Sequence, residues 1–72
     1  MSARVYDVIS RGEKVGTVSI DDGLMRIMMA GHELRIAHNS YYKTIDVLLS
    51  EVRKAISKMG YREFDLELVS DG

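Results

Sequence analysis

The sequence predicts an α+β fold in which one amphipathic helix packs on an antiparallel sheet, and three observations predict it. Residues 39–60 hold the only long stretch with a helical apolar period. Residues 4–38 are rich in β-branched, aromatic and methionine side chains and are cut by glycine-marked turns. Residues 62–69 alternate between apolar and acidic side chains. Together they give a four-stranded antiparallel meander, the helix and a C-terminal fifth strand, in the order β-β-β-β-α-β, as a single domain over residues 1–72.

Taken in order, residues 4–11 form a first strand with Val5 and Ile9 on one side and Tyr6 and Val8 on the other. A turn over residues 12–14 leads to a second strand over residues 15–20. Asp21, Asp22 and Gly23 are strong turn formers and precede a third strand over residues 24–30. Gly31 and His32 interrupt the pattern before a fourth strand over residues 33–38, which turns Leu34 and Ile36 inward and Glu33, Arg35 and Ala37 outward.

Within residues 39–60, Tyr41, Tyr42, Ile45, Leu48, Leu49, Val52, Ala55, Ile56 and Met59 share one arc of a helical wheel. Asn39 or Ser40 is the expected N-cap, and Gly60 the residue that ends the helix in a left-handed conformation. Val47 stands alone among the polar side chains of the other arc. In the last strand Phe64, Leu66 and Leu68 face the core, and Glu63, Asp65 and Glu67 face away. Its pairing partner is left open by the pattern.

Composition narrows the function classes. Ten basic and eleven acidic side chains nearly cancel, which disfavours a protein held mainly by nucleic-acid phosphates. Without cysteine, neither thiolate chemistry nor a sulfur-ligated zinc site can be built, and a reducing, cytoplasmic setting is expected. The N-terminus lacks an apolar run of signal-peptide length, and no stretch is long and apolar enough to span a membrane. No cofactor motif, phosphate loop or catalytic constellation is present, so no enzymatic activity is expected. His32 and His38, the two histidines, lack a third ligand at a metal-site spacing.

Three surfaces remain. Met28, on the strand face that a single helix cannot cover, forms a candidate partner-binding patch with Leu24 and either Tyr6 or Val8, and Val47 is a second candidate contact. Lys43, Arg53, Lys54, Lys58 and Arg62 form a basic set at the helix and beyond it, suited to nucleic acid if the tyrosines stack on bases. Glu63, Asp65 and Glu67 form an acidic row that could hold a divalent cation or imitate phosphates, although cross-strand pairing with Arg4, Arg26 or Arg35, or plain solvation, is the favoured reading of it. The favoured expectation is a small non-enzymatic protein-binding module, an inhibitor or adaptor of the kind found in prokaryotes and phages. It would form a homodimer through its open sheet face or an edge strand, and its protein partner is not identified by the sequence. Nucleic-acid binding through the basic end of the helix is the alternative.

Overall fold

Short turns fix the order of the first four strands. The computed structural model describes residues 3–38 and 44–71, and shows β1 (Arg4–Ser10), β2 (Glu13–Asp21), β3 (Leu24–Met29), β4 (His32–Ala37), α1 (Ile45–Lys58) and β5 (Asp65–Asp71). The predicted β-β-β-β-α-β order is the observed one. The strands form one antiparallel sheet in the order β4-β3-β2-β1-β5, so the last strand pairs with the first and the edges are β4 and β5.

The first turn differs from the expected one. Ser10 pairs with Glu13, which leaves Arg11 and Gly12 as a two-residue loop with φ of 54° and 80°. Such a loop matches the right-handed twist of the hairpin only when both residues adopt positive φ. Glu13 and Lys14 therefore join β2 instead of the turn. One residue further, Val8 faces Gly16 while Ile9 faces Lys14, so Val15 is the extra residue of a bulge.

The helix also starts later than its periodicity suggests. Thr44, not Asn39 or Ser40, is the N-cap, and its Oγ1 accepts a hydrogen bond of 3.3 Å from the Val47 amide. Asn39, Ser40, Tyr41, Tyr42 and Lys43 lie outside the described residues. At the other end the Met59 amide donates to the Ala55 and Ile56 carbonyls, and Gly60 takes a φ of 104°, as expected of a helix-ending glycine. Likewise β5 begins at Asp65, so Glu63 and Phe64 precede it, and the Ser10 hydroxyl donates to the Glu63 carbonyl at 2.8 Å to hold that approach.

The core lies between α1 and one face of the sheet. Leu48, Val52 and Ile56 of α1 bury against Tyr6, Val8, Val18, Ile20, Met25, Ile27 and Met29. Each such helix side chain contributes about 1.5–3 kcal/mol by leaving water. A helix of 14 residues is only about 21 Å long, too small to cover five strands. Burial accordingly falls off toward both edges: Val8, Val18 and Ile27 are fully buried, whereas Leu34 on β4 is 36% exposed and Leu68 on β5 is 50% exposed.

Candidate protein-binding surface

The face of the sheet turned away from α1 is not the apolar patch that the methionine pattern suggests. Cross-strand partners share a face, so Met28 sits between Thr17 and Glu33, and Leu24 between Asp21 and Ala37. Tyr6 and Val8 are on the opposite, helix-covered face and cannot join it. Arg26 lies on the open face between Leu24 and Met28, directly opposite Arg35. The two arginines converge on Glu33, whose Oε2 is 3.4 Å from the Arg26 Nε and 2.7 Å from the Arg35 Nε. The hydrogen bond from Arg35 holds the Glu33 carboxyl below the usual carboxylate range against a desolvation that opposes it, and the positive charge of Arg26 adds to the lowering.

The acidic row is shorter than its sequence pattern. Asp65 faces Ile9 and Glu67 faces Asp7 on the open face, while Glu63 precedes the strand. The arginines expected to neutralise the row are engaged elsewhere: Arg4 pairs with Asp71 at 2.9 Å, and Arg26 and Arg35 pair with Glu33. Asp7 pairs with Lys14 at 3.1 Å. Among the described residues no group of three or more histidine or acidic side chains is placed to hold a metal ion. His32 and His38 flank β4 at its two ends, about 20 Å apart at the rise of an extended strand. The Nε2 of His38 lies 2.7 Å from the Asp21 carbonyl, which can only accept, so that nitrogen carries the ring proton.

The basic set is divided by the fold. Lys54 and Lys58 stand on the wall of a groove of about 650 Å³ between α1 and β4, floored by Leu34, Ile36, Ala55 and Met59, with Glu51 beside them. On the helical wheel Val47 lies in the same stripe as Glu51, Lys54 and Lys58, and it is 45% exposed. Arg53 points along the other flank of α1. Arg62 lines a separate, polar depression with Arg11, Tyr61 and Glu63, where the β1–β2 turn meets the approach to β5.

The groove joins residues that are distant in the sequence. Leu34 and Ile36 come from β4, and Lys54, Ala55, Lys58 and Met59 from α1 and its C-terminal end. The inward alternation of Leu34 and Ile36 is legible in the sequence, but their incomplete cover is not, because it depends on α1 lying over the central strands. Beside the groove runs the outer edge of β4. The His38 amide donates to the Gly23 carbonyl, and the alternation of an antiparallel ladder then turns the backbone N–H and C=O groups of Glu33, Arg35 and Ala37 away from β3. No helix among the described residues is long and apolar enough to cross a membrane. In comparison with known proteins, no protein-family model, no curated protein and no solved structure matches this chain.

Proposed function

We propose that this chain is a non-enzymatic protein-binding module, an inhibitor or adaptor, whose recognition surface is the α1–β4 side. The observation that carries this reading is the groove itself. Its floor of Leu34, Ile36, Ala55 and Met59 offers apolar contact, and Lys54 and Lys58 add positive charge along its wall. Ligand grooves with this division, an apolar body and a few charged groups, bind segments of matching pattern. The matching segment is acidic and amphipathic, with apolar side chains toward the floor and carboxylates toward the lysines.

The experiment is an NMR titration of the labelled protein with an alternating leucine–glutamate peptide and, in parallel, with a single-stranded oligonucleotide. Peptide-induced shifts at Leu34, Ile36, Ala55 and Met59, lost in a Lys54→Glu, Lys58→Glu variant, support the proposal. Shifts with the oligonucleotide alone, centred on Arg53 and Arg62, favour the nucleic-acid alternative instead.

A further inference from the structure

We propose that the β4 edge pairs with the β4 edge of a second copy, antiparallel and centred on Leu34, to give a two-fold dimer with a continuous ten-stranded sheet. The pairing deepens the protein-binding reading and rests on it, because it places the grooves of the two copies side by side across the seam. The two edges of the sheet differ in their fitness for such pairing. The β4 register with β3 runs without a break from Leu24–Ala37 to Met29–His32. In β5, by contrast, Val69 is an extra residue between the Leu68 and Ser70 positions, and such a bulge interrupts an edge ladder.

Charge selects the register. A two-fold axis at Leu34 sets Leu34 against the partner's Leu34 and Glu33 against the partner's Arg35, twice over. The paired positions are those whose backbone groups already point outward, so the hydrogen-bond alternation is satisfied. Moving the axis one residue to Arg35 sets arginine against arginine, and moving it to Glu33 sets glutamate against glutamate. The contact involves one six-residue strand per copy, which places it at the small, reversible end of interface sizes.

The test is the solution mass across a concentration series for the wild type and two charge variants. Arg35→Glu sets acidic side chains opposite one another at both cross-seam pairs while giving Arg26 an acidic cross-strand partner, so the monomer stays folded. It should raise the dimer dissociation constant by about tenfold or more. Adding Glu33→Arg exchanges both charges and should restore the dimer. A wild type that is monomeric at every concentration, or a dimer indifferent to Arg35→Glu, overturns the pairing. The groove variant Lys54→Glu, Lys58→Glu should dimerise as the wild type does, so loss of the dimer and loss of peptide binding report separately on the seam and on the groove.

Discussion

Met29 folds its thioether over the backbone of Gly16, filling the space that a Cβ at position 16 would need, and the Met28 carbonyl oxygen closes the same space from behind. Gly16 and Met29 are cross-strand partners between β2 and β3. Glycine is required there for closeness of approach. Gly16→Val should therefore lower stability by about 1–3 kcal/mol through overpacking. Chemical denaturation measures it, and a neutral result would mean that both the Met29 side chain and the β3 backbone at Met28 move aside.

The methionines on the two faces of β3 should behave oppositely. Met29 and Met25 are in the core, Met25 fully buried, while Met28 is 36% exposed on the other face. Met25→Ala should cost about 2–5 kcal/mol by leaving a cavity. Met28→Ala should stay within about 0.5 kcal/mol of the wild type. Equal costs would contradict the assignment of faces.

Arg11 has a φ of 54°, in the left-handed region that side chains with a Cβ occupy at a cost. Arg11→Asn keeps a side chain while relieving that conformation, since asparagine is favoured at this turn position. An increase of about 0.5–1 kcal/mol, equivalent to roughly 2–8 °C in Tm, is expected from thermal unfolding. A fall in Tm would show that the Arg11 guanidinium is needed in the depression it shares with Arg62.

Acid should weaken the Arg26–Glu33–Arg35 cluster in a defined direction. Glu33 is held below its ordinary value of 4.5 by the hydrogen bond from Arg35 and the charge of Arg26. A depressed carboxyl contributes stability that is complete above the unfolded value and is lost as pH falls through the folded one. The stability difference between the wild type and Glu33→Gln should thus be constant near neutrality and shrink below pH 4.5. A difference that widens in acid would contradict the ion-pair geometry.

The alternation of each strand was legible in the sequence because one face must be buried. Thus Leu34 and Ile36 point inward as their spacing predicts, and Tyr6 and Val8 share one face as expected, although that face is the helix-covered one and not the one beside Met28. What surrounds each residue was not legible, since that depends on the register between strands. Met28 accordingly has Thr17 and Glu33 as neighbours instead of an apolar side chain from β1. The helix start was misplaced because Tyr41 and Tyr42 continue its apolar period, while the cap is formed by the Thr44 hydroxyl closer to the first buried turn. The groove depends on how far α1 reaches across the sheet, and composition carries no trace of that distance.

Amide hydrogen exchange, read residue by residue at low and high protein concentration, tests the role of the β4 edge most directly. The amides of Glu33 and Arg35 should exchange freely in dilute protein and become protected as concentration rises, while those along β5 keep the same rates throughout. Rates at Glu33 and Arg35 that ignore concentration, or protection that appears along β5 instead, would contradict it.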